Sequence, residues 1–221
     1  MSDIPKSQSF SESIDILHAQ IRACDLCVRS GFITRAAPGV WGTAPAPYMV
    51  IGQAPSLTDS AKGETYLGPA GLKLRGWLRD AGFVDEDFGT RVYMTAITKC
   101  FPGRLPGSSK DRAPSRAERA NCRPWLDAQL RIVDPKLIIL FGKMAIDLFL
   151  GGKLPLEECV GHVYRRLGMV YAPLPHSSGA STWLNDPLHR EQVAHAIDLI
   201  RALRVAIDTD APLTEELLTN L

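Results

Sequence analysis

Residues 136–142, KLIILFG, form an unbroken apolar run of strand length closed by a glycine, and the residues that follow, KMAIDLFL (143–150), read as a short helix. A strand apolar on both sides is buried on both faces, and the usual place for one is the interior of a parallel sheet. Working outward, three further runs share this character: PYMVIG (47–52), RVYMTAIT (91–98) and GMVYAPL (168–174). A helical pattern follows each, over 72–81, 115–133 and 187–207 respectively. Strands alternating with helices predict βαβ units, and hence an α/β fold: a three-layer αβα sandwich around a four-stranded parallel sheet. Open sheets of this kind bind ligands beyond the carboxyl ends of their strands. That rule singles out GQAPS (52–56), ITKC (97–100), FGK (141–143) and PHSSGAS (175–181), each of which follows a strand.

The chain of 221 residues is long enough for one sizeable core. A single domain over 1–221 is expected, with a helix or tail over 1–20 and a tail or short helix over 207–221. Hydrophobic residues make up 45% and charged residues 22%, which argues against both disorder and membrane insertion. The longest apolar runs are too short to span a bilayer. The opening residues, MSDIPKSQSFSESIDIL, lack the basic start and apolar middle of a secretory signal, so a cytoplasmic protein is expected; a monomer with no membrane partner is expected as well. With 25 basic and 24 acidic residues the net charge is +1, and only the local distribution is informative. Arg104, Lys110, Arg112, Arg116, Arg119 and Arg123 crowd one segment, while acidic residues gather at 85–87 and 208–216. Such a segment is either a solvated face or a surface for a polyanion.

Of the five cysteines, Cys24 and Cys27 form a Cys-x-x-Cys pair, and Cys100 and Cys122 flank a proline-broken basic loop able to bring its ends together. Disulfides are disfavoured in a reducing compartment, leaving a metal or buried free thiols. Four thiolates suit tetrahedral zinc and a 4Fe–4S cluster equally well. Cys159, in LPLEECVGH, reads as an ordinary helix or loop thiol.

CDLC near the start, GQAPS after the first strand, KC and CRPWL around the basic loop, and PHSSGAS after the last strand together resemble the uracil-DNA glycosylase superfamily, most closely its iron–sulfur branches, families 4 and 5. The resemblance covers roughly residues 21–200 in the family's order. It implies the αβα sandwich, hydrolysis of the bond between a damaged base and deoxyribose, and a structural 4Fe–4S cluster ligated by Cys24, Cys27, Cys100 and Cys122. The partner it implies is DNA containing uracil or another deaminated base, with abasic DNA as product.

On the same resemblance Gly52, Gln53, Ala54, Pro55 and Ser56 cradle the extruded base and the attacking water. Gly52 permits close backbone approach, Pro55 stiffens the turn, and N–H groups near a helix start can hold an oxygen. Gln53 stands where family 4 has Glu, and an amide positions water but cannot take its proton. Asp59 matches a second acidic position of the motif; it either serves the sugar cation and water or caps a helix, and Glu64 is a weaker candidate. Tyr66 matches the aromatic that stacks on the flipped base, with a buried core tyrosine as the alternative. Ala96 replaces the Asn that reads uracil, which implies looser discrimination extending to hypoxanthine or xanthine. His176 heads the family's second motif, with Ser177 in place of Pro, and can donate a hydrogen bond to the oxygen on which charge develops. Ser177, Ser178, Gly179 and Ser181 can grip phosphates beside Arg104, Lys110 and Arg112, and Trp183 or Leu184 can wedge into the gap. His18, His162, His189 and His195 read as packing or surface residues. No lysine occupies a matched catalytic position, so a monofunctional glycosylase is expected. Two rivals remain: a non-catalytic or cross-linking binder of uracil or abasic DNA, and a zinc-stabilised hydrolase or transferase of unknown substrate.

Overall fold

The computed structural model describes residues 6–152, 154–166, 168–177, 182–214 and 218. In chain order the elements are α1 (Lys6–Arg22), α2 (Leu26–Arg29), β1 (Tyr48–Gly52), α3 (Leu57–Lys62), α4 (Pro69–Asp80), β2 (Val92–Ala96), α5 (Arg116–Val133), β3 (Leu137–Phe141), α6 (Lys143–Leu150), α7 (Leu156–Cys159), β4 (Tyr164–Arg166), β5 (Met169–Leu174) and α8 (Pro187–Asp208). The sheet runs in the order β2-β1-β3-β5-β4, with β1, β2, β3 and β5 parallel and β4 antiparallel to β5.

The sheet therefore has five strands and not the four expected. The additional strand is three residues long, and two of the three, Arg165 and Arg166, are exposed. Edge strands are commonly kept short and charged, which prevents pairing with other chains and removes the apolar run by which a strand is recognised. The four expected strands are apolar because both faces of the sheet are covered. Tyr48, Val50, Met94 and Ile139 face one apolar layer with Leu74 of α4 and Ile200 of α8. Met49, Ile51, Tyr93 and Ile138 face the other with Ile21 of α1, Leu126 of α5 and Ile146 of α6. All of these side chains are almost fully buried, and each aliphatic one contributes about 1.5–3 kcal/mol of transfer free energy.

Local signals set the helix starts. Ser115 and Glu118 form a reciprocal capping box on α5, Ser56 and Asp59 form one on α3, and Pro69 opens α4 behind Gly68. Among the described residues no helix is long and apolar enough to cross a membrane.

Candidate active site

Because the four long strands are parallel, the segments after β1, β2, β3 and β5 leave the sheet at one end. The β1–β2 ladder continues past the last strand residues: Ile97 N–H donates to Gly52 O at 2.9 Å and Thr98 N–H to Gln53 O at 3.3 Å. This fixes the first motif against the end of β2, where Gly52 and Ala96 are register partners. Gly52 cannot be replaced without displacement, since a Cβ there would lie 2.6 Å from the Tyr66 hydroxyl.

Tyr66 is the centre of the arrangement. Its backbone adopts φ 62, its ring is buried, and its hydroxyl donates to Thr95 O at 2.7 Å. Burial, followed by the charge of Asp59, holds the phenol well above its ordinary range, so it stays neutral. α4 approaches so closely that a Cβ on Gly71 would fall 2.4 Å from the Tyr66 backbone. The Tyr66 ring lies 6.1 Å from that of Phe141, and Phe141 lies 4.9 Å from the ring of His176, so three aromatic rings from three segments stand in a row along the rim. Phe141 lies in the FGK stretch singled out after β3, but the sequence assigned it no role, since it reads as the last core residue of an apolar strand.

His176 is half-buried, and burial lowers its pKa, which keeps the imidazole neutral at neutral pH. Ser177 is tied inward, its hydroxyl donating to Ala70 O at 2.7 Å at the start of α4. Gln53 and Ala54 are half-buried beside Gly52, and Pro55 is buried. Ala96 is buried as well, and its carbonyl accepts a hydrogen bond from the Lys99 ammonium.

Asp59 is buried with both carboxylate oxygens engaged by main-chain N–H groups, Oδ2 by Ser56 at 2.8 Å and Oδ1 by Leu67 at 2.6 Å. It caps α3 and ties the first motif to the segment carrying Tyr66. Glu64 is exposed.

Cys24, Cys27, Cys100 and Cys122 line a single small cavity together with Lys99, Asp25 and apolar side chains that include Ile21 and Trp125. Asn121 Nδ2 donates to the Cys27 sulfur at 3.9 Å. Burial pushes Cys100 up to about 12 and raises Cys27 and Cys122, so bare thiolates are disfavoured there and a bound cation is what would make them favourable. Burial also brings Lys99 down to about 7. Among the described residues no three His, Cys, Asp or Glu side chains stand at the spacing of ligands to one ion; the four thiols instead surround the cavity. Cys159 lies apart, its thiol donating to Pro155 O at 3.2 Å.

The basic loop divides into two parts. Arg104 and Lys110 are exposed on a hairpin closed by the Arg104–Asp111 bridge. Arg112, expected on DNA, is committed elsewhere: it forks onto both oxygens of buried Glu118 at 2.7 Å each and donates to Phe32 O at 2.9 Å. It thus clamps the loop to α5 and to the segment after α2, around the cysteine cavity. Trp183 is also occupied, its ring stacked on His189 at 4.0 Å and 3° while packing on the core. Ser178, Gly179 and Ser181 lie outside the described residues. His162, His189 and His195 line a groove between the turn before β4 and α8.

The family model described as the Uracil DNA glycosylase superfamily matches residues 40–201. Similar curated proteins include a type-4 uracil-DNA glycosylase of Sulfurisphaera tokodaii, 29% identical over 132 residues, with 60% of this chain and 56% of the relative covered. A type-4 uracil-DNA glycosylase of Archaeoglobus fulgidus is 32% identical over 134 residues, covering 61% and 62%. A type-5 uracil-DNA glycosylase of Mycobacterium leprae is 27% identical over 169 residues, covering 62% and 70%. The chain thus spans less than two thirds of the length of the first two.

Proposed function

Because this chain belongs to the uracil DNA glycosylase superfamily, we propose that it hydrolyses the N-glycosidic bond of uracil in DNA and leaves an abasic site. The observation that carries the reading is the convergence of Gly52, Tyr66 and His176 at one rim of the sheet. A flipped base placed there rests against a ring already fixed by its hydroxyl, so little side-chain entropy is lost on stacking.

In this reading the C–N bond breaks with its electron pair going to the base. The neutral imidazole of His176 donates a hydrogen bond to the base oxygen on which negative charge grows, the role of an oxyanion donor. Water held by Gln53 adds its oxygen to the sugar carbon, and its proton passes to solvent and finally to the base. Gln53 orients this water without accepting the proton. Asp59 acts through the loop it ties together, as a positioning residue. Gly52, Ala54, Pro55 and Ser56 form the cradle. Ala96 offers the base edge no side-chain hydrogen bond, which supports acceptance of hypoxanthine or xanthine beside uracil. Arg104 and Lys110 are placed on the DNA backbone.

The four-thiol cavity fits a metal–sulfur group in its donor set and apolar lining, and we assign a 4Fe–4S cluster held by Cys24, Cys27, Cys100 and Cys122. When bound it supplies a cross-link between the segment after α1, the end of β2 and α5, and it takes no part in the reaction.

A second reading, a binder that holds uracil or abasic DNA without releasing base, is favoured by two observations: Gln53 cannot act as a base, and both Asp59 oxygens accept main-chain hydrogen bonds. Incubation of the protein with oligonucleotides bearing uracil, hypoxanthine or xanthine, followed by alkali, separates the two. Strand breaks at uracil are expected; tight binding with no free base and no breaks would sink the hydrolytic reading.

A further inference from the structure

We infer that Lys99 is a positioning residue, through which the group bound by the four cysteines holds the base-facing end of β2 in shape. The inference rests on the metal–sulfur assignment made above. Lys99 is 2% exposed and lines the same cavity as Cys24, Cys27, Cys100 and Cys122. Its ammonium turns toward the sheet, donating to Ala96 O and, at 2.9 Å, to Thr95 Oγ1. Thr95 O is the acceptor that fixes the Tyr66 hydroxyl, and Ala96 is the register partner of Gly52. One side chain therefore touches the cysteine cavity at one end and the support of the aromatic row at the other.

Charge explains why a lysine stands there. Among the described residues no carboxylate pairs with Lys99, and Asp25, which lines the same cavity, is paired with Arg29 at 2.8 Å. A buried ammonium without a counter-charge costs several kcal/mol. Four thiolates around a metal–sulfur group supply that negative charge at the cavity wall, and the ammonium in turn offsets it. The bonds to Ala96 and Thr95 then follow from geometry, because three donors on a buried ammonium must all find acceptors. Thr95 passes the connection on: its hydroxyl donates to Gln129 Oε1 at 3.0 Å, and Gln129 Nε2 donates to the Tyr93 hydroxyl at 2.7 Å.

The test compares the full wild-type chain, purified without air, with Lys99→Met, which keeps the apolar stem and loses the charge. The readouts are the visible absorption and midpoint potential of the metal group and single-turnover release of uracil. Removing a cation beside an anionic cluster disfavours its reduction, so the potential of Lys99→Met is expected to move to more negative values. Base release is expected to slow about tenfold, equivalent to ~1.4 kcal/mol, with affinity for abasic DNA unchanged. A potential that does not move overturns the inference whatever the rate does, as does a wild-type chain with no metal–thiolate absorption. If the wild type releases no uracil, the proposed activity falls and the potential alone decides on Lys99. If Lys99→Met does not fold, Thr95→Val decides, since it keeps the charge and removes one of the two bonds by which Lys99 holds β2. Slower release at the wild-type potential supports the inference, and wild-type release contradicts it.

Discussion

At the scale of single residues, chemistry at the rim depends on where hydrogen bonds are already committed. Asp59 gives both oxygens to main-chain N–H groups, and an amide in its place has one acceptor oxygen for two donors. Asp59→Asn should therefore lose about 1–3 kcal/mol of stability, and the base-release rate should fall with it. Urea unfolding beside single-turnover assays checks this; a slowed variant of wild-type stability would return Asp59 to direct contact with the reacting sugar. His176 brings a neutral ring to the rim, packed on that of Phe141. Replacing it with Ala should reduce base release by about a hundredfold or more, the loss typical of one oxyanion donor, with little change in stability. Rates within a few-fold of wild type would remove His176 from the reaction.

At the scale of elements, α1 and α5 are joined to β2 by buried polar groups as well as by apolar contact. His18 of α1 is buried with Nε2 2.6 Å from the Tyr93 hydroxyl. Gln129 already donates to that oxygen, so the hydroxyl gives its hydrogen to His18, whose ring must be neutral. Burial, aided by Arg22, brings the His18 pKa down to about 4. Above about pH 6.5 the folded and unfolded chains both carry a neutral ring and no stability is lost. Below it the unfolded state takes a proton that the folded state refuses, so stability falls and levels off near pH 4 at roughly 3 kcal/mol below its neutral value. Urea unfolding from pH 7 to pH 4 should show this loss in wild type and lack it in His18→Gln; equal pH dependence in the two would refute the buried neutral ring. The same elements carry the cysteines, and Arg112 on Glu118 fastens the intervening loop across them.

At the scale of the whole molecule, most of the layering was legible because strands buried on both faces spell out continuous apolar runs, as in MVI, LIIL and VYA. β4 was not, because an edge strand of YRR carries no such run. α3 was hidden for another reason: six residues held by a capping box have too little length to show periodicity. The two cysteine pairs could be read as pairs, yet only folding brings all four to one cavity. Phe141 and Lys99 fell in stretches singled out after the strands, FGK and ITKC, yet neither received a role, because each ends an apolar run and looks like its last core or first loop residue; the signal available for Lys99 was a charge set directly between that run and Cys100. The central claim is spatial: the carboxyl rim of this sheet receives a base turned out of DNA. Its most direct test is the structure of the protein on a duplex bearing 2′-fluoro-deoxyuridine, which binds without being cleaved. The uracil ring is predicted to lie against Tyr66 with one carbonyl oxygen about 3 Å from the His176 ring. A base left stacked in the duplex, or seated in the groove along α8, would contradict the claim.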